Sequence, residues 1–295
     1  MWQKLKGNTR INIELFFGVL IVAAIVIWAA AFSQPKADSG NLKIYFFDVG
    51  QGDSEYIKTP GGGDILIDGG PDDKVLTDLG KVMSPGDRKI DLVVLTHPHA
   101  DHITGLIEVI KRYEVGEIWE TGVDYPSSAY DTWKSEIKNL NITDKYVKAG
   151  EEKDFDNSGI KFKILSPLSP FQNRKIDNVN NASVVNRLED GSFSVLFMGD
   201  AEKEIQLQIK QSLSKATVLK IGHHGSENGM TTDLLKIVRP AIAVIEVGKD
   251  NTYGHPAKSV IEMLKNYAVT IYRTDQNGTV EVDFDGTDYT VKTAQ

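Results

Sequence analysis

The chain has 295 residues, 41% of them apolar and 25% charged, the composition of an ordinary globular protein with a sizeable core. It contains no cysteine, which excludes a disulfide framework, a thiolate metal site and a cysteine nucleophile, so any metal must be held by His, Asp or Glu. Its formal charge of −8 excludes broad attraction to nucleic acid, although bound cations can reverse that field locally.

Residues 11–32 are almost wholly apolar apart from Asn12 and Glu14, and this run approaches the roughly 20 residues needed to span a bilayer. Lys4, Lys6 and Arg10 all precede it. The positive-inside rule therefore makes 1–32 a cytoplasmic tip and single-pass membrane anchor, with everything after it outside the cytoplasm. The alternative is a secreted protein, cleaved at the small residues Ala29-Ala30-Ala31. Residues 33–41 read as a polar linker and 42–295 as the folded domain.

Within that domain, apolar runs predict strands over 42–49, 54–59 and 64–67, then a helix over 74–83. Leu92-Val93-Val94-Leu95 reads as a central strand, and at its end stands Thr96-His97-Pro98-His99-Ala100-Asp101-His102, with three of the six histidines. Side chains leaving the ends of adjacent strands in an α/β sheet converge on one point, so a metal site is expected here. Alternation sends His97 and His99 to one side and leaves Asp101 and His102 for a second centre. Imidazole and carboxylate suit zinc, with manganese the alternative, and two such centres can polarise a substrate oxygen and hold a bridging hydroxide.

Helices over 104–113 and 130–140 then alternate with strands over 117–120 and 145–148. A strand over 160–165 leads into a long polar loop ending at 181, followed by a hairpin of strands over 183–188 and 193–198 turning at Asp190-Gly191, and a helix over 202–213. Strands over 218–221, 242–247, 269–272, 279–284 and 289–292 close the chain, with helices over 232–238 and 258–267 between them. Asp200 and the pair His223-His224 both leave strand ends. A carboxylate at Asp200 can bridge two cations or cap the helix that follows.

The series His97-x-His99-x-Asp101-His102 resembles the H-x-H-x-D-H signature of the metallo-β-lactamase fold hydrolases. Over about 41–295, the order of elements is similar to that family's four-layer αββα sandwich, although no internal sequence repeat is visible. The resemblance implies that His97, His99, Asp101 and His102 bind metal and that Asp200 bridges two ions. It also implies that the pair His223-His224 holds the last metal histidine and that Asp68 orients a ligand histidine from behind, unless Asp68 is a turn residue. Spacing does not decide within the pair; His224, directly before Gly225, is the expected ligand, and His223 is expected either to support a ligand from behind or to contact substrate. A further metal histidine is usual between Asp101 and Asp200, but after His102 none occurs there.

Asn180-Asn181-Ala182-Ser183 stands in that interval. Together with Phe47-Asp48-Val49-Gly50-Gln51-Gly52-Asp53, His223-His224-Gly225-Ser226 and Tyr253-Gly254-His255-Pro256, it is similar to one branch: the exported metal-dependent domain of ComEC and its stand-alone relatives. This implies that Asn181 and Asp53 line the site in place of the missing histidine. His255, on a polar loop, can give a proton or hydrogen bond to a substrate oxyanion. The resulting expectation is a membrane-anchored, outward-facing, two-metal phosphodiesterase or nuclease whose substrate is DNA, RNA or an envelope phosphodiester, with Asp101, Asn181, His223 and His255 serving the chemistry. Lactonase or β-lactamase activity on the same fold, or a non-catalytic metal-containing binding module, is the alternative.

Overall fold

Alternation along the strands builds the layers. A computed structural model describes residues 16–22, 40–155, 159–172 and 174–295. The first sheet receives β1 (Leu42–Phe46), β2 (Glu55–Lys58), β3 (Asp64–Ile67), β4 (Lys89–Val94), β5 (Glu114–Glu120) and β6 (Thr143–Tyr146), interleaved with helices α1 (Lys74–Val82), α2 (Ala100–Ile110) and α3 (Ser128–Leu140). The second receives β7 (Glu152–Phe155), β8 (Ile160–Ser166), β9 (Val185–Asp190), β10 (Phe193–Phe197), β11 (Val218–Lys220), β12 (Ile242–Ile245) and β13 (Thr270–Arg273), with α4 (Lys203–Gln208), α5 (Thr232–Val238) and α6 (Lys258–Asn266). The chain then returns to the first sheet as the hairpin β14 (Val280–Phe284) and β15 (Tyr289–Thr293), with Leu42 of β1 opposite Phe284. The strand orders are β15-β14-β1-β2-β3-β4-β5-β6 and β13-β12-β11-β10-β9-β8-β7.

Ile65, Ile67, Leu92 and Val94 share a central core with Phe162, Val195 and Phe197 of the other sheet. Their neighbours Leu66, Val93 and Leu95 turn outward onto Val75, Leu79, Ile103 and Leu106 of α1 and α2. On the far side, Leu196, Leu219 and Ala243 pack with Ile205, Leu234 and Leu264 of α4, α5 and α6. Burying each large aliphatic side chain contributes roughly 1.5–3 kcal/mol. Three apolar interfaces thus stack four layers, helix, sheet, sheet, helix, as expected.

In each sheet a run of antiparallel strands gives way to parallel ones, β3 to β6 in one and β10 to β13 in the other. At their carboxyl ends the two sheets are tied together, because the Val184 N–H donates to the carbonyl of Thr96 at 3.0 Å.

Several boundaries differ from expectation. Helix α2 starts at Ala100 and not at 104, so Asp101 and His102 lie in its first turn. The helix expected over 202–213 is α4 followed by a separate turn at Lys210–Ser212, because Ile209 leaves helical geometry with φ −88° and ψ 4°. Strand β7 was not foreseen: Glu-Lys-Asp-Phe buries only its last residue and carries no apolar rhythm. Of the anchor expected over 1–32, residues 16–22 are helical and exposed. The rest of it, with the linker up to 39, lies outside the described residues. Among the described residues no helix is long and apolar enough to cross a membrane, so the structure gives the anchor no support.

Candidate metal centre

In the first sheet the site is built around Asp68, the residue after β3, which adopts a left-handed φ of 53°. Such a conformation costs a non-glycine residue about 1–3 kcal/mol and persists where the surroundings enforce it. Here the carboxylate is gripped from three directions. It accepts from the Thr96 N–H at 2.8 Å, the Thr96 hydroxyl at 2.6 Å and His102 Nδ1 at 2.7 Å. The Asp68 turn meets α2 through two glycines: a Cβ on Gly105 would lie 1.9 Å from the Gly69 carbonyl oxygen, and one on Gly69 2.4 Å from the Leu106 nitrogen. This close approach delivers His102 to Asp68. Since a carboxylate accepts, His102 carries its hydrogen on Nδ1 and turns Nε2 to the site. Asp68 therefore holds the His102 imidazole from behind and leaves its Nε2 facing the cluster.

From the second sheet, Asp200 follows β10, its N–H donating to Ser183 Oγ at 3.1 Å. Its Oδ2 lies 3.4 Å from His102 Nε2, 3.7 Å from His224 Nε2 and 3.8 Å from His97 Nε2. The alternative of a helix cap is not taken, because the residue before α4 is Glu202. His223 and His224 follow β11 with consecutive left-handed φ values of 50° and 52°. At Gly225 a Cβ would lie 2.6 Å from Pro256 Cβ, so only glycine lets the turn close. His224 is buried; its Nδ1 donates to the Glu246 carbonyl at 2.9 Å, beside Asp53 Oδ1 at 3.2 Å, and its Nε2 lies 3.3 Å from Asp101 Oδ2. His97 Nε2 lies 3.0 Å from His99 Nδ1. His97 thus meets His99, but the donor atoms that converge group His97 with His102 and Asp200, and Asp101 with His102 and His224, so His102 stands between the two expected centres and Asp200 faces both sides.

These residues fit divalent ions. His97, His102 and Asp200 bring donor atoms within 4.8 Å of one another, as do Asp101, His102 and His224. His102 Nε2 and Asp200 Oδ1 are buried without a hydrogen-bond partner, an arrangement that is costly unless something else binds them. Burial opposes charge on every member, yet Asp200, Asp68 and Asp101 hold the His102 imidazole well above its ordinary range. Against the same burial, Asp200 and Asp53 lift His224 to about 10. Burial raises the Asp200 carboxyl, but His224 and His102 outweigh it and hold that group well below its usual range. Without an ion, protons on two histidines balance the carboxylates; cations can take their place.

Not every expected residue reaches the cluster. The Asn181 side chain turns away: its Oδ1 accepts from the Glu202 N–H at 3.1 Å and its Nδ2 donates to Glu204 at 3.4 Å. Asn180 faces the cleft instead, with Nδ2 3.3 Å from His223 Nε2. Asp53 stands on the Nδ1 side of the histidines, with a carboxylate oxygen within 4.8 Å of donor atoms of Asp200 and His224. It is fully buried, pairs with Lys220, and lies 3.9 Å from His102 Nδ1. His255 is half-buried on the rim, its ring centroid 5.6 Å from that of His223 and 6.0 Å from that of Tyr253. Burial, then the neighbouring His223 and His224, hold it below the ordinary histidine value. Thr96, Ser183, Glu202, Lys220 and Glu246 were missed. Each follows or precedes a ligand or a strand end, the only signal that could have marked them.

Comparison with known proteins agrees with this geometry. The family model for the metallo-beta-lactamase superfamily matches residues 47–248, more than half of the chain. The chain belongs to that superfamily. It is 31% identical over 265 residues to ComE operon protein 3 of Bacillus subtilis, covering 82% of this chain and 33% of that protein. It is 29% identical over 287 residues to Recombination protein 2 of Haemophilus influenzae, covering 96% of this chain and 33% of that protein. The superfamily chain thus spans about a third of the length of these relatives, which agree with the ComEC-like resemblance. Among solved structures, the metallo-beta-lactamase fold protein YhfI from Bacillus subtilis superposes with a TM-score of 0.55 at 13% identity, over 82% of this chain and 99% of that one. That likeness concerns the fold alone.

Proposed function

We propose that the chain is a metal-dependent phosphodiesterase that cleaves nucleic acid, with single strands as its preferred substrate. The observation that carries this is the position of Asp200, whose carboxylate faces His97, His102 and His224 at once with one oxygen unpartnered. A shared carboxylate of that kind suits a pair of cations. His97, His99 and Asp200 would hold one ion; Asp101, His102, His224 and Asp200 the other. Bound there, divalent ions lower the pKa of water and neutralise charge on a phosphoryl oxygen. Asp68 and the Glu246 carbonyl keep His102 and His224 aimed. His223 and His255, on the open side, are placed to meet substrate oxygens. Relatives named for competence and recombination support nucleic acid as the substrate class. A formal charge of −8 argues against a broad duplex footprint and for a single strand entering the cleft. The apolar run over 11–32, with its preceding basic residues, supports an anchor that would place this domain outside the cytoplasm.

The test is a substrate panel with the full chain loaded with zinc or manganese: end-labelled single- and double-stranded DNA, RNA, bis(p-nitrophenyl) phosphate, a lactone and a β-lactam. Chelator-sensitive cleavage of the phosphodiesters, fastest on single strands, is expected. Turnover of only the lactone or β-lactam would overturn the reading.

A further inference from the structure

The segment that replaces the missing histidine does something other than line the metals. Its asparagines gather on Glu202, a residue only 8% exposed. Glu202 Oε2 accepts from Asn178 Nδ2 at 2.9 Å, Oε1 accepts from Asn180 Nδ2 at 3.4 Å, and the Glu202 N–H donates to Asn181 Oδ1 at 3.1 Å. The same Oε1 lies 3.1 Å from His223 Nδ1. Two asparagines therefore clamp the carboxylate and a third holds its backbone, and the carboxylate faces a histidine whose backbone is itself fixed at φ 50° by an N–H bond to the Gly199 carbonyl at 3.1 Å.

We propose that Glu202 is a positioning residue for His223: it holds the ring in the tautomer with hydrogen on Nδ1 and turns Nε2, as an acceptor, toward the cleft beside Asp200. A carboxylate can only accept, so the hydrogen between Glu202 and His223 sits on Nδ1. Asn180 fits the same assignment. Its Nδ2 lies 3.4 Å from Nδ1 and 3.3 Å from Nε2, and since Nδ1 already donates to Glu202, Nε2 is the nitrogen that receives the amide hydrogen. The amide cannot be reversed without setting its oxygen against Glu202. His223 Nε2 lies 3.9 Å from Asp200 Oδ2, on the side where a substrate oxygen would approach ions held by Asp200. Oriented this way, one imidazole nitrogen is fixed by the protein and the other is free to exchange a hydrogen bond or proton with substrate. The catalytic part of this inference rests on the phosphodiesterase reading; the tautomer does not.

Two measurements separate them. The first is long-range proton–nitrogen NMR of the imidazoles in the metal-free full chain, with His223→Ala to assign the signals. His223 should show the Nδ1–H pattern in the wild type and a tautomer mixture in Glu202→Gln, whose amide brings a competing donor. An Nε2–H pattern in the wild type, or an unchanged pattern in Glu202→Gln, overturns the inference. If Glu202→Gln fails to fold, the wild-type spectrum still decides. The second is a double-mutant cycle on a cleaved phosphodiester. His223→Ala should lower kcat by about 10²-fold with little change in KM and full metal content. Glu202→Gln should lose part of that factor, and the double variant no more than His223→Ala alone. Additive losses contradict positioning through His223. Absence of phosphodiester turnover would sink the functional reading and leave the tautomer result standing.

Discussion

The six histidines divide evenly between a buried floor and an open rim. His97, His102 and His224 are buried, while His99, His223 and His255 are partly exposed. On the floor, each imidazole of the second group is fixed from behind: His102 by Asp68, His224 by the Glu246 carbonyl. On the rim, His223 meets Glu202, His255 meets His223, and His99 meets His97 and Tyr125. The floor is therefore rigid and charge-compensated, suited to holding cations. The rim retains access from the cleft, suited to substrate. Loss on the floor, or of the ligand His99 at its edge, should remove metal; loss of His223 or His255 should remove rate.

Asp200→Ala would break this division most severely. It removes the carboxylate that faces both ligand groups, so metal content measured by mass spectrometry should fall by at least one ion and kcat/KM by roughly 10³-fold, corresponding to several kcal/mol of charge stabilisation. Retention of both ions would show that Asp200 is not shared.

Asp68→Ala should come next, weakening metal affinity in a competition titration by roughly 10–100-fold, because it frees a ligand imidazole without removing it. Gly105→Ala should mimic it, since a Cβ only 1.9 Å from the Gly69 oxygen must push α2 and His102 away. Unchanged metal affinity in both variants would deny the floor its dependence on support from behind.

For the rim, His255→Ala should keep both ions and lower kcat by about 10²-fold or less, with a smaller loss on a substrate whose leaving group needs no proton. Metal loss in this variant would move His255 to the floor.

A separate effect, on stability and not on metal content or rate, concerns Glu246. Burial, then Asp53, raise its carboxyl from an ordinary 4.5 to about 8. A group raised in the folded state favours folding below its unfolded pKa, and that contribution is lost as pH rises through the folded value. Glu246→Gln should thus match the wild type near pH 4 and exceed it in thermal stability near pH 9, measured on metal-free protein. A constant difference across that range would contradict the buried-acid assignment.

Much of this was readable from one sequence because strand ends and chemistry coincide. The apolar run at 92–95, followed at once by His97, His99, Asp101 and His102, marks both the strand and the candidate ligands. The same logic reached Asp200 and His224. It failed where partners lie far apart in sequence: Lys220 meets Asp53 and Glu246 receives Ser54 N–H across the two halves, and neither pairing leaves a local pattern. Asn181 was chosen over Asn180 because a 3₁₀ turn at Val179–Ala182, invisible in a polar stretch, decides which of the two side chains faces inward. Helix α2 was placed four residues late because His99 precedes its first turn without making a side-chain cap.

The central claim, that a buried floor exchanges its protons for two ions, is tested most directly by titrating zinc into metal-free protein at pH 7 in buffers of different ionisation enthalpy. His224, lifted to about 10, and His102, lifted well above its ordinary value, both carry a proton at that pH. Their lowered partners Asp101 and Asp200 are already ionised. Two ions per chain, release of about two protons, and an affinity that weakens as pH falls are therefore predicted. Binding of a single ion with no proton release, and an affinity indifferent to pH, would contradict the account.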